Sequence, residues 1–268
     1  MSYSEFKTIA QVQEKFGLVV KESENLFVDI ESLTISDYLQ QTLKRNLSIA
    51  NAISTEKARS ELLIAPILLE SRQLFHEQVG FFSETEFNVD VESGLNRFCD
   101  FLLTASSEIY EISCPVITLV EAKNENIKGG LGQCIAEMVA AQRFNAQNNQ
   151  KFPIYGVVTT GMIWKFLRLE ERTLWIDQED YFIKEIGKLL GILSSPFHNY
   201  FFIEINAIAN LLETEDREFG RSHRDNLMVN LDNREEFLAQ LTIDPIYKLR
   251  LPLHRDRTLN WDYLLNGA

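Results

Sequence analysis

Hydrophobic and polar positions along this chain change period several times. From Ser36-Asp37, which has the character of a helix start, Tyr38, Leu39, Leu43 and Leu47 follow at helical spacing. Thr55 opens a second helical stretch, EKARSELLIAPILLESRQLF, with Pro66 inside it. Proline lacks a backbone donor and crowds the preceding turn, so a kink or restart is expected there. Beyond residue 86 the period drops to two: EFNVDVE alternates as a half-exposed strand, and Ser93-Gly94 marks a turn. RFCDFLLT and VITLVEAK read as buried strands and residues 131–147 as a helix. IYGVVTT and IWKFLRLE form a strand pair turning at Gly161, and TLWID is a further short strand. After about residue 180 the pattern is helical again, in KEIGKLLGIL and FFIEINAIANLLETE. Residues 1–35 carry only short apolar patches, and the locally basic tail YKLRLPLHRDRTLNWDYLL has no readable role. The order helix, strands, helix, strands, helix predicts an α/β (α+β) sandwich built on a mixed sheet. Its core is expected over 55–180, with mostly helical extensions at 1–54 and 181–268 packed on it as one unit.

Composition narrows the picture. At 268 residues the chain can bury a core without metal or disulfide staples. The net charge of −13 speaks against nonspecific wrapping of nucleic acid, which favours basic surfaces. It leaves room for a small basic cleft and suits a carboxylate pocket for a cation. Cys99, Cys114 and Cys134 are odd in number and lack a CxxC spacing, as expected of free thiols in a reducing cytoplasm. The start, MSYSEFKTIAQVQEKF, has no basic segment followed by an apolar one, so no signal peptide is read. The longest apolar run, LLIAPILL, is eight residues, far short of a membrane span. A soluble cytoplasmic protein is therefore expected. His76, His198, His223 and His254 are scattered without metal-ligand spacing, and no G-x-S-x-G, P-loop or GxGxxG occurs.

Chemistry is concentrated at the end of VITLVEAK. Residues two apart in a strand share a face, so Glu121 and Lys123 extend the row of Ile117 and Leu119, while Val120 and Ala122 point the other way. A carboxylate and an ammonium then emerge together at the carboxyl end of an apolar strand, where clefts open in α/β sheets. The carboxylate can ligate a hard cation such as Mg²⁺. The lysine can lend charge to a phosphate or help activate a water. One carboxylate rarely holds such a metal, and Asp100 in RFCDFLL is the partner to expect. It also interrupts an apolar strand, where a charge is costly unless paired or metal-bound. Two adjacent antiparallel strands would bring Asp100 and Glu121 together.

Asp100, twenty intervening residues, and then Glu121-Ala122-Lys123 resemble the D…(D/E)-x-K signature of the PD-(D/E)XK nuclease superfamily. Cys99 stands where that signature has a variable proline. The resemblance extends to a preceding helix with a glutamate, here Glu61, and to a following helix with a glutamine, here Gln133. It covers roughly residues 55–170 and implies a restriction-endonuclease-like core in the order α-β-β-β-α-β. It further implies a nuclease hydrolysing phosphodiester bonds of nucleic acid with Mg²⁺ or Mn²⁺, DNA being the expected partner. Carried over, Asp100, Glu121 and the Ala122 carbonyl would hold the metal, and Glu61 would ligate it or orient a water. Lys123 would position or help deprotonate the attacking water and stabilise charge. Gln133 would steady the water, the lysine or a phosphate. Glu56 and Glu70 share the helical stretch of Glu61. Arg59 and Lys128 are candidate substrate contacts or plain surface charges, and KGGLG at 128–132 reads as a loop between strand and helix. Double-strand cutting by this fold usually needs two active sites, which leaves a homodimer open. Two other readings stand beside the nuclease: the same fold kept as a binding or scaffold module without turnover, and an unrelated α/β protein with a structural Glu121–Lys123 pair.

Overall fold

Ser36 and Thr55 act as the helix starts their side chains suit. The Ser36 hydroxyl accepts the Leu39 N–H at 3.1 Å and the Thr55 hydroxyl the Ala58 N–H at 3.2 Å. The computed structural model describes residues 2–218. The chain groups into two units, Met1–Ile205 and Asn206–Ala268, and the sheet belongs to the first. The basic tail from Tyr247, His223 and His254 lie outside the described residues.

In chain order the elements are α1 (Ile9–Phe16), β1 (Val19–Lys21), α2 (Asp37–Ile53), α3 (Glu56–Arg59), a wide π-type turn (Ser60–Ile64) and α4 (Ala65–Gln73). Then come β2 (Gly80–Glu86), β3 (Phe98–Thr104), β4 (Val116–Ala122), α5 (Ile127–Gln147), β5 (Ile154–Thr159), β6 (Ile163–Glu170), β7 (Thr173–Ile176), β8 (Tyr181–Phe182) and α6 (Ile186–Glu218). The strands form one open mixed sheet in the order β1-β7-β6-β5-β4-β3-β2, with β8 on β6. β4 pairs with β5 in parallel, as β1 does with β7, and the other pairings are antiparallel. The molecule is thus mixed α/β, with helices flanking the sheet. One apolar cluster joins Leu102 and Leu119 to α5. The other joins Phe101, Val120 and Ala122 to Ile67, Leu68 and Leu189 on the opposite face.

At Pro66 the second helical stretch restarts as expected, passing from the π-type turn into α4 with the proline in its first turn. Ala65 donates to Ser60 five residues back, so the extra residue is absorbed in a π-type turn. The carbonyl that Pro66 cannot serve, that of Leu62, accepts Asn46 Nδ2 of α2 at 2.9 Å. Two expectations give way. β2 is GFFSETE, ahead of the EFNVDVE assignment. Residues 87–97 form an irregular hairpin instead, with Phe87 donating to Arg97 O at 2.8 Å and Val89 to Leu95 O at 3.0 Å. KGGLG is not a loop but the first turns of α5, which starts at its cap Asn126. A Cβ on Gly130 would meet Val158 Cγ1 at 2.7 Å, and one on Gly132 would meet Phe6 O at 2.6 Å, so close packing asks for glycine there. Asp177, at the end of TLWID, is buried and accepts the Tyr181 hydroxyl at 3.0 Å.

α5 runs antiparallel to β4, and two polar contacts fix its register. Near one end the Asn145 side chain exchanges hydrogen bonds with Val116, at 2.7 and 2.8 Å. Near the other, Gln133 reaches Glu121. Twelve residues of helix rise about 18 Å and five of strand about 17 Å, so the two contacts are compatible with one straight packing. Among the described residues no helix is long and apolar enough to cross a membrane, and all three cysteines are free.

Candidate functional site

The last paired residues of β3 and β4 are Phe101 and Val120. The next step of that register sets Asp100 across from Glu121. Asp100 Oδ2 accepts the Ala122 backbone N–H at 2.7 Å. A side-chain carboxylate thus takes a ladder donor just where the two strands begin to part. Ala122 remains in parallel register with Thr159, and Lys123 N–H continues that pairing to Thr159 O at 2.8 Å. β4 is therefore held on both sides up to Lys123.

Val120 and Ala122 belong to the apolar cluster opposite α5, which leaves Glu121 facing α5. It is 1% exposed. Its Oε1 is ion-paired with Lys123 Nζ, and its Oε2 accepts Gln133 Nε2 at 2.8 Å. The same nitrogen donates to Glu137 Oε1 at 3.1 Å. Gln133 and Glu137 are one helical turn apart, so they share the face of α5 that lies over β4. Gly130, a turn earlier on that face, lets the Lys123 chain lie against the helix.

These groups perturb one another. Burial, then the charge of Asp100, push the Glu121 carboxyl up to about 8, against the pull of Lys123. Burial also raises Asp100, opposed by the Ala122 N–H and by Lys123. Glu137 goes well above the carboxylate range, through burial and then the charges of Glu121 and Asp100. Burial alone would lower the Lys123 ammonium, but Glu121 and Asp100 outweigh it and the amine is raised. Two adjacent carboxylates that resist ionisation are a setting a divalent cation would relieve.

The donor set is hard oxygen. Among the described residues no group of three or more His, Cys, Asp or Glu is arranged to hold a metal. Asp100 and Glu121 with the Ala122 carbonyl fit instead the manner in which Mg²⁺ binds, through one or two carboxylates with waters and substrate phosphate completing its shell.

The other expected residues fall at different places. Glu61 is exposed and paired with Lys57 at 3.6 Å, and Lys57 also reaches Glu84 at 3.3 Å. It makes no hydrogen bond or ion pair with Asp100, Glu121 or Lys123. Glu56 is the acid of this helical stretch whose charge is felt at both Asp100 and Lys123. Glu56, like Glu61, is exposed. Glu70 is committed elsewhere, accepting the Ser36 N–H and hydroxyl, both at 2.8 Å. Arg59 braces the end of β4 by donating to Asn124 O. Lys128 is exposed in the first turn of α5. Glu137 did not stand out in the sequence, although its spacing of four from Gln133 was a signal that could have found it.

Comparison with known proteins yields no match: no family model, no curated protein and no solved structure is similar to this chain.

Proposed function

We propose that the chain is a Mg²⁺- or Mn²⁺-dependent nuclease of the PD-(D/E)XK kind, hydrolysing phosphodiester bonds of nucleic acid, with DNA as the expected substrate. The observation that carries this reading is the Asp100–Ala122 hydrogen bond, which holds a second, half-buried carboxylate beside Glu121 with Lys123 next to it. Support comes also from the chain order α3/α4, β2, β3, β4, α5, β5 within a mixed sheet flanked by helices.

Asp100, Glu121 and the Ala122 carbonyl are the residues we assign to the metal. When bound, the cation would polarise the phosphoryl group and make an attacking water more acidic. Lys123 is held as a charged ammonium by its two acidic neighbours, which suits it to donate to the phosphate and stabilise negative charge rather than to take a proton. One of its three donors serves Glu121 Oε1, which leaves the others for a phosphate oxygen. In the hydrolysis a water oxygen bonds to phosphorus and gives up a proton to bulk water, while the bond to the leaving nucleoside oxygen breaks and that oxygen takes a proton from bulk water.

The test is incubation of the full chain with plasmid, single-stranded DNA and RNA in Mg²⁺ or Mn²⁺, beside Asp100→Asn and Lys123→Ala. Cutting by the wild type that both variants lose is the expected result. Metal binding without cutting of any substrate would instead favour a silent binding or scaffold module.

A further inference from the structure

Glu137 is fully buried on α5, and one of its oxygens, Oε2, has no hydrogen-bond partner. A buried carboxyl without a cation beside it is costly, and an apolar side chain would fit a helix interior better. Its other oxygen accepts Gln133 Nε2, the nitrogen that also donates to Glu121. A primary amide nitrogen carries two hydrogens, and here each goes to a carboxylate. What remains on Gln133 is its carbonyl oxygen, which can only accept.

We propose that Glu137 is a positioning residue: it holds the Gln133 amide so that both hydrogens face buried carboxylates and only the carbonyl oxygen is offered to the open side of the site. Resting on the nuclease reading, this deepens it. Gln133 then receives a donor in the substrate complex, either the attacking water or the Lys123 ammonium, and it does not bind a phosphate oxygen. Loss of Glu137 frees one amide hydrogen and lets the group turn about its last torsion, which is broad for an amide.

The test uses the full chain labelled with ¹⁵N-glutamine, as wild type, Glu137→Gln and Glu137→Leu. Glu137→Gln keeps a carbonyl oxygen that can accept from Gln133, whereas Glu137→Leu does not. Gln133 signals are assigned by their loss in Gln133→Met. Both Gln133 side-chain hydrogens should exchange slowly with solvent in the wild type and in Glu137→Gln. In Glu137→Leu at least one should exchange about tenfold faster or more, and affinity for Mn²⁺ alone should fall about tenfold. The melting temperature of Glu137→Leu should hold or rise, since an unpartnered buried oxygen is gone, so a purely structural role predicts no loss of Mn²⁺ affinity. Unchanged exchange in Glu137→Leu, or unchanged Mn²⁺ affinity where the wild type binds the ion, would overturn the proposal. A wild type that binds no Mn²⁺ overturns the nuclease reading instead, and amide exchange still decides whether Glu137 holds Gln133.

Discussion

Asp100 stands opposite Glu121 one register step past the Phe101–Val120 pair, and it takes the N–H of Ala122, the residue between Glu121 and Lys123. This bond separates two roles of Asp100. Asp100→Asn keeps an acceptor for the Ala122 N–H, while Asp100→Ala leaves a buried donor unpaired. Unfolding measurements should show Asn near wild type and Ala less stable by about 1–3 kcal/mol. Cutting should fall at least about 100-fold in both.

Lys123 competes with any cation for Glu121 Oε1. Lys123→Ala should therefore bind Mn²⁺ at least as tightly as wild type, while turnover drops about 100-fold or more. Calorimetry and a cleavage assay on one preparation separate the two effects. Loss of metal binding in this variant would contradict the role given to the lysine.

The raised Glu121 carboxyl has a definite sign. Its folded value of about 8 lies above the ordinary 4.5. The stability tied to its neutral form is complete below the unfolded value and is lost as pH rises toward 8. Metal-free protein should melt at lower temperature at about pH 9 than at about pH 6, and Glu121→Gln should flatten part of that difference, Glu137 carrying the rest. Metal affinity should rise with pH across the same window, because the cation needs the ionised carboxyl.

How much of this was legible beforehand depended on whether local pattern or packing decided. The continuous apolar run of β4 marks a strand buried on both faces, and all seven of its residues are buried. The Asp100–Glu121 meeting followed from placing two such strands side by side. By contrast, β2 was missed because alternation in EFNVDVE is stronger than in GFFSETE. The left-handed Arg97 and the turn closed by Ser93 N–H on Asp90 divert that alternating stretch into an irregular hairpin. Glu137 is easily passed over for another reason: a glutamate on a helix ordinarily reads as a solvated face, and only its spacing of four from Gln133 sets it apart. Only the tight seating of α5, set by Gly130 and Gly132, turns that face inward. Both acids offered by the earlier helical stretch, Glu56 and Glu61, are exposed, so burial does not choose between them.

The same glycines give a prediction on stability. Helix propensity alone favours Gly132→Ala by about 1 kcal/mol. The new Cβ would lie 2.6 Å from the Phe6 carbonyl oxygen, a backbone atom that cannot swing aside. Net destabilisation of about 1–3 kcal/mol is expected by denaturant unfolding. A gain in stability would mean that α5 is not packed this closely on the Phe6 segment.

The most direct measurement is isothermal titration of Mn²⁺ into metal-free wild-type protein and into Asp100→Asn. The account predicts one ion bound per chain in the wild type and none in the variant. A wild type that takes up no ion, or a variant that binds it equally well, would contradict a cation held between Asp100 and Glu121.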